Sequence, residues 1–273
     1  MKRLLTIQDI SCVGQCSTTV ALPLVSACGV ECAILPSSVL SNHTGGFKSW
    51  TFADLTAELG KVEAKWCELG IKFDAFYTGY VSESHIDPIL SIMDSCENPG
   101  ALRIVDPAMA DNGKLYYGFD EAYAAGMADL CRAADLVLPN LTEACFMTGC
   151  EYKEKYDYDY ILSVLDALEK AGMKNIVLTG VSYDDETTGV LVKIGDKIDY
   201  YSHRKIPVGS HGTGDVFASA FSGALLRGNS EIKSAEIAAN YTLRCIENTI
   251  GDDSHRYGVK FETAIPYLLE QLN

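Results

Sequence analysis

Short, mostly apolar runs separated by helical patterns constrain this chain more than any other feature. Residues 3–7, 31–35, 73–77, 101–105, 136–138 and 176–178 each read as a strand, being too short for a helix and bounded by polar or turn residues. Between them lie amphipathic segments: residues 17–28, stopped by Gly29, and residues 49–69, ending near Gly70. In a third segment Ile161, Leu162, Leu165 and Leu168 share one face, and Gly172 closes it. Strands alternating with helices predict a mostly parallel sheet covered on both faces. Residues 188–194 and 197–202 flank Gly195-Asp196 and predict an antiparallel hairpin. Helical patterns over 231–248 and 260–269 come after it. With no linker, repeat or low-complexity segment, one domain over residues 1–273 is expected. Ligands of such sheets bind beyond the carboxyl ends of the strands. Asp9, Tyr80, Asp106, Asn140 and Thr179 all lie just after strands and are the first polar candidates.

Charge narrows the partners. Thirty-seven acidic against 22 basic residues leave a net charge of −15, which argues against nucleic acid or an anionic membrane as the main partner. A small anionic substrate is still allowed, because local amides and cations can hold it. The first residues carry too short an apolar run for a signal peptide, and no stretch approaches a membrane span. The expected compartment is the cytoplasm, with the ten cysteines as reduced thiols, mostly small core residues. Cys12 and Cys16, like Cys28 and Cys32, are spaced C-x3-C rather than the C-x2-C of common zinc or redox sites.

The stretch Gly209-Ser210-His211-Gly212-Thr213-Gly214-Asp215 runs straight into a helical pattern carried by Val216, Phe217, Ala220, Phe221, Ala224 and Leu225. A glycine-rich loop at a helix N-terminus offers unpaired N–H groups and a positive dipole end to an anion. Asp215 has two readings there. It is an N-cap or first-turn acid, or it lies beside a γ-phosphate and takes the proton of an attacking alcohol. Gly45-Gly46-Phe47-Lys48-Ser49 lacks the spacing of a P-loop, and no G-x-G-x-x-G follows the first strand.

Gly212-Thr213-Gly214-Asp215 opening a small-residue helix late in the chain resembles the signature of ribokinase-like kinases. Ser41-Asn42-His43-Thr44-Gly45 after the second strand, with Ile7-Gln8 ending the first, resembles the pyridoxal kinases, the vitamin B6 branch of that family. The resemblance runs through nearly the whole chain in order. It implies a ribokinase-like three-layer α/β/α fold and ATP-dependent phosphorylation of the 5′-hydroxymethyl group of pyridoxal, pyridoxamine or pyridoxine. Asp215 would be the base, and Gly212, Thr213 and Gly214 would stabilise the moving phosphoryl group. His43 and Thr44 would contact the pyridine substrate, and Tyr80, from Thr78-Gly79-Tyr80, would pack on its ring. Asp106 and Asp111, from Asp106-Pro107-Ala108-Met109-Ala110-Asp111-Asn112-Gly113, would lie near the phosphates and their cations. Asn140 would approach the phosphates and Glu143 would organise water around Mg2+, with Asp106 on the metal side; Asn140 and Glu143 also read as a capping pair. Thr179-Gly180 resembles the nucleotide-side element. A monovalent cation such as K+ and a homodimer are implied as well.

Two departures matter. Asp9 stands where many pyridoxal kinases have a serine, and would accept a hydrogen bond from the pyridine N–H or the phenol. Hydroxymethylpyrimidine kinases often carry Gly-Cys where this chain has Gly214-Asp215, so Asp215 favours the B6 branch. The alternatives are a hydroxymethylpyrimidine or sugar kinase, or a non-catalytic protein that holds pyridoxal phosphate or a nucleotide.

Overall fold

The computed structural model describes residues 1–207, 209 and 211–273; Val208 and Ser210, inside and next to the signature loop, lie outside the described residues. A nine-stranded sheet forms the middle layer. Its order is β11-β10-β9-β8-β5-β4-β1-β2-β3. The parallel strands are β1 (Arg3–Ser11), β2 (Glu31–Leu40), β4 (Phe73–Thr78), β5 (Glu97–Val105), β8 (Leu136–Val137) and β9 (Asn175–Val181). At one edge β10 (Thr187–Ile194) and β11 (Lys197–Arg204) form the expected hairpin. At the other, β3 (Phe52–Asp54) runs antiparallel to β2. A separate two-stranded hairpin, β6 (Ala110–Asp111) with β7 (Lys114–Leu115), stands off the sheet.

The helices are α1 (Thr18–Ala27), α2 (Thr56–Leu69), α3 (Ile86–Cys96), α4 (Glu121–Arg132), α5 (Leu141–Thr148), α6 (Tyr158–Lys170), α7 (Thr213–Leu226), α8 (Glu231–Thr249) and α9 (Ile265–Gln271). Strand alternation sorts the core into two layers. Leu5 and Ile7 of β1 join the buried faces of α2 to α6, while Leu4 joins those of α1, α7, α8 and α9. In α7 every residue from Val216 to Ala224 is buried. An all-round apolar helix must be enclosed, and α7 lies between α1 and α8. Fully burying Phe221 alone contributes roughly 1.5–3 kcal/mol.

Several boundaries differ from the sequence expectation: β1, β2 and β5 run beyond residues 3–7, 31–35 and 101–105. The helix expected from residue 49 begins at Thr56, because residues 52–54 pair with the free edge of β2. The helix expected over 260–269 is a 3-10 turn at Phe261–Ala264 followed by α9. In α6 the inner face is Ile161, Val164, Leu165 and Leu168, and Leu162 is only partly buried against the core.

Candidate active site

The carboxyl ends of β1, β4, β5, β8 and β9 bring the strand-end candidates to one edge of the sheet. Asp9 lies in β1 at an irregularity between Gln8 and Ile10. It is 3% exposed and accepts a hydrogen bond from Ser11 Oγ at 2.8 Å. Burial pushes its carboxyl up, against hydrogen bonds from Ser17 and Ser11. Tyr80 stands beside it, half-buried, with its phenol raised by burial and by the charge of Asp9. Gly79 lets the chain turn there, since a Cβ would fall 2.3 Å from Gln8 Oε1.

Tyr80 belongs to an aromatic stack that the sequence did not announce. Its ring lies 5.4 Å from that of Phe119, which stacks on Tyr123 at 3.7 Å with an interplanar angle of 3°. Tyr123 Oη donates to Val81 O at 2.5 Å, tying the stack to the chain just after Tyr80. No periodicity signals this pairing, which depends on the entry to α4 packing against Tyr80 and Val81, just after β4.

His43 lies in the loop after β2, where its N–H donates to Val13 O at 2.9 Å. Its ring meets His211 edge-to-face at 5.7 Å, and its Nδ1 is buried without a partner among the described residues. Burial, then the neighbouring His211, lowers it to about 4, so it is a neutral imidazole. Thr44 is exposed in the same loop.

Asp215 occupies the first turn of α7. Gly212 is the N-cap with φ 76°, and a Cβ there would fall 1.9 Å from Gln15 O. Only glycine allows this approach of the α7 start to the loop before α1. At Gly214 a Cβ would meet none of the described residues within 4 Å, so among them the first turn has open space beside it. Thr213 is half-buried at the first helical position. Burial first, then the charges of Asp106 and Asp9, push Asp215 up to about 8, against main-chain hydrogen bonds from Ser17 and from Asp215 itself. The N-cap is Gly212, which has no side chain to cap the helix, and Asp215 stands as the acid of its first turn, a place that both readings allow.

On the far side Asp106 follows β5, 7% exposed, with Oδ1 accepting from Ala108 N at 3.1 Å. Burial and the nearby Glu143 raise it well above the usual carboxylate range. Glu143 is 2% exposed. Its Oε1 accepts from Met109 N at 2.9 Å, and its Oε2 from Asn140 N at 2.9 Å. Burial dominates those donors and holds Glu143 at about 7. Asn140 caps α5 through Glu143 N at 3.0 Å and donates to Ala110 O at 2.8 Å. The capping pair is therefore real and also clamps residues 109–110. Asp111 is exposed in the β6–β7 hairpin, accepting from Asn112. Thr179 bridges to Asn140 and donates from its N–H to Pro139 O at 2.9 Å. Gly180, φ 70°, comes next with open space around it.

A divalent cation suits the Asp106–Glu143 pair. Both are buried hard oxygen donors that repel each other, and a cation relieves that repulsion. Among the described residues no group of three or more His, Cys, Asp or Glu side chains forms a ready metal cage.

Taken together, the strand ends gather an acid at a helix N-terminus, a polar aromatic pocket and a carboxylate-rich floor, the parts that phosphoryl transfer to an alcohol calls for. The chain belongs to the phosphomethylpyrimidine kinase family, whose model matches residues 22–259. It is 30% identical over 245 residues, 82% of this chain and 78% of the relative, to a pyridoxal kinase from Dictyostelium discoideum. Its fold matches the crystal structure of pyridoxal kinase from Lactobacillus plantarum with a TM-score of 0.90 and 31% identity, covering 99% of this chain and 97% of that one. A Bacteroides thetaiotaomicron structure solved with pyridoxal matches with a TM-score of 0.91 and 32% identity, covering 98% and 95%.

Proposed function

We propose that this chain is a pyridoxal kinase, transferring the γ-phosphoryl group of ATP to the 5′-hydroxymethyl of pyridoxal, pyridoxamine or pyridoxine. One observation carries the reading: Asp215 stands at the N-terminus of a buried helix, within electrostatic reach of Asp9 and Asp106. It therefore joins an acceptor pocket to a phosphate side. The pyridoxal-bound relative and the kinases just described support the choice of acceptor.

The pyridine ring would lie against Tyr80, whose face is fixed by Phe119. Asp9 would accept from the pyridine N–H or the phenol, and neutral His43 and exposed Thr44 would close the pocket from the loop after β2. The substrate hydroxyl then gives its proton to Asp215 as its oxygen forms the bond to Pγ. The bond from Pγ to the β–γ bridging oxygen breaks, and its electron pair leaves with ADP. An acid at about 8 in the free protein keeps its proton over most of the neutral range, so its base form, and turnover with it, should grow as pH rises toward 8. Main-chain N–H groups of Gly212, Thr213 and Gly214 would donate to the equatorial phosphoryl oxygens. Asp106 and Glu143 would hold Mg2+, directly or through water, and Asp111, Asn140, Thr179 and Gly180 would line the nucleotide side. Bound there, Mg2+ neutralises developing phosphate charge.

A single domain over 1–273, a cytoplasmic location, K+ dependence and a homodimer belong to the same proposal. The nine strands drawn from residues 3 to 204 support the first. Ten free cysteines support the second; among the described residues no helix is long and apolar enough to cross a membrane.

The experiment is turnover with MgATP on pyridoxal, pyridoxamine, hydroxymethylpyrimidine and ribose, compared by kcat/KM. Pyridoxal or pyridoxamine is expected to lead. Asp215→Asn is expected to lower kcat by about 10²–10⁴-fold. Preference for hydroxymethylpyrimidine or ribose, or vitamer binding without ATP consumption, would overturn the proposal.

A further inference from the structure

A buried histidine with no part in the proposed chemistry lies between the two segments that wall the proposed acceptor pocket. Tyr80 follows the carboxyl end of β4. His43 and Thr44 lie in the loop that β3 closes on β2, pairing Phe52 with Leu40, Ala53 with Val39 and Asp54 with Ser38. In the sheet β1 and β2 separate β4 from β3, so the two are three strand spacings, or about 14 Å, apart. Main-chain pairing between neighbours therefore does not set one wall directly against the other. Side chains from the segment after β4 and from the end of β3 make that connection, and its centre is His85, 1% exposed.

The segment over residues 80–85 is held at both ends. Near Tyr80, Tyr123 Oη donates to Val81 O at 2.5 Å. Further on, Ser82 caps the 3-10 turn Glu83–His85, and His85 takes the place that Glu or Gln fills in an ordinary capping box. Ser82 N donates to His85 Nδ1 at 3.0 Å, and Ser82 Oγ lies 2.8 Å from the same nitrogen. A ring nitrogen that accepts from a main-chain N–H carries no proton, so the hydrogen of the neutral ring is on Nε2. Burial keeps the ring neutral, against the pull of Asp54. Nε2 lies 3.6 Å from Asp54 Oδ1, a separation for charge–dipole attraction rather than a hydrogen bond. Asp54 is fixed in turn, its Oδ1 accepting from Thr56 N at 2.6 Å. A second link joins the same two segments, Thr56 Oγ1 and Ser84 Oγ standing 3.2 Å apart. The cap needs only the Nδ1 face of the ring; the Nε2 face is what a histidine adds, and it meets Asp54.

We infer that His85 is a positioning residue of the acceptor pocket, its Nδ1 face shaping the segment that carries Tyr80 and its Nε2 face tying that segment to Asp54, at the end of the strand that closes the His43–Thr44 loop. The bridge sets the gap between the aromatic platform and the opposite wall, and with it the fit of a flat ring between them. A ring held loosely in that gap is bound less well and presents its hydroxyl less often in line. The kinetic consequence rests on the kinase reading; the bridge itself does not.

The test separates the cap from the bridge. His85→Asn keeps an acceptor near the Nδ1 position for Ser82 N–H but has no atom that reaches Asp54. Its Tm should stay near the wild-type value while KM for pyridoxal rises about threefold, the scale of a partly exposed charge contact, with KM for MgATP unchanged. Asp54→Ser keeps an acceptor for Thr56 N and loses the carboxylate; it should raise KM for pyridoxal to the same extent. The double variant should be no worse than either single one, because both remove the same bridge. A residue that served only the fold would lower Tm and leave both KM values level. In ¹⁵N spectra of the free wild type, the His85 ring should show a protonated Nε2 and a bare Nδ1, and Asp54→Ser should shift the Nε2 resonance. The inference is overturned by an unchanged KM for pyridoxal in a folded His85→Asn, by additive rises in the double variant, by an equal rise in KM for MgATP, or by a proton on Nδ1. Should His85→Asn fail to fold, Asp54→Ser and the ring spectrum decide. Should the wild type phosphorylate no vitamer, the kinase proposal falls, and the response of Nε2 to Asp54→Ser still decides for or against the bridge.

Discussion

At Asp215 stability and chemistry pull in opposite directions. The folded protein holds this carboxyl at about 8, chiefly by burial and then by Asp106 and Asp9, whereas the unfolded chain releases its proton near the ordinary carboxylate value. An acid raised on folding is favourable only while it keeps its proton, so its contribution is lost as pH climbs from about 4 to about 8. Asp215→Asn removes that penalty. The variant should therefore be more stable than the wild type in urea, by a margin that widens between about pH 5 and pH 8 and then levels. A margin that stays flat would show that Asp215 is not raised. Asp9, Tyr80, Asp106, Asn140 and Thr179 were legible in the sequence because a parallel sheet gathers at one edge the residues that leave its strands. Ser17 and Phe119 were not. The left-handed backbone of Ser17, φ 50°, is not announced by its side chain, and Phe119 acquires its partners only when the chain entering α4 packs against Tyr80, just after β4.

Among the elements, α7 separates two kinds of glycine. Gly212 is needed for the fold, since a methyl group would strike Gln15 O and φ is 76°. Gly214 is not, since a methyl group there meets none of the described residues. Gly212→Ala should cost about 1–3 kcal/mol in denaturant unfolding and lower activity with it. Gly214→Ala should unfold like the wild type while its KM for ATP rises or its kcat falls, because the methyl group fills the space offered to phosphate. Equal stability losses in the two would refute the distinction. The Gly-x-Gly pattern was visible in the sequence; which glycine serves the chain and which serves the ligand was not. Element boundaries were missed where pairing overruled pattern. Residues 52–54 have helical neighbours in sequence, yet they complete the edge of β2.

For the whole molecule, the charge of −15 faces an anionic nucleotide. Long-range repulsion is screened within about 8–10 Å at physiological salt. Raising ionic strength from about 10 to 150 mM with a tetramethylammonium salt should therefore lower KM for MgATP, while KM for neutral pyridoxine stays level. A rise in KM for MgATP would mean that local cations outweigh the surface charge. Replacing tetramethylammonium by K+ at constant ionic strength then isolates any specific cation effect. The total burial of α7 has a further consequence, for hydrogen exchange. A helix enclosed by α1, α8 and the sheet opens only when the molecule does, so amides of 216–224 should exchange at the rate of global unfolding. Trp50 and Tyr117 meet edge-on at 6.2 Å between two surface loops, so amides of 42–51 and 112–119 should exchange through small local openings. The proposed base is thus bolted to the slowest-exchanging part of the protein, and the freedom needed to admit and release substrates is left to loops that lie apart from it.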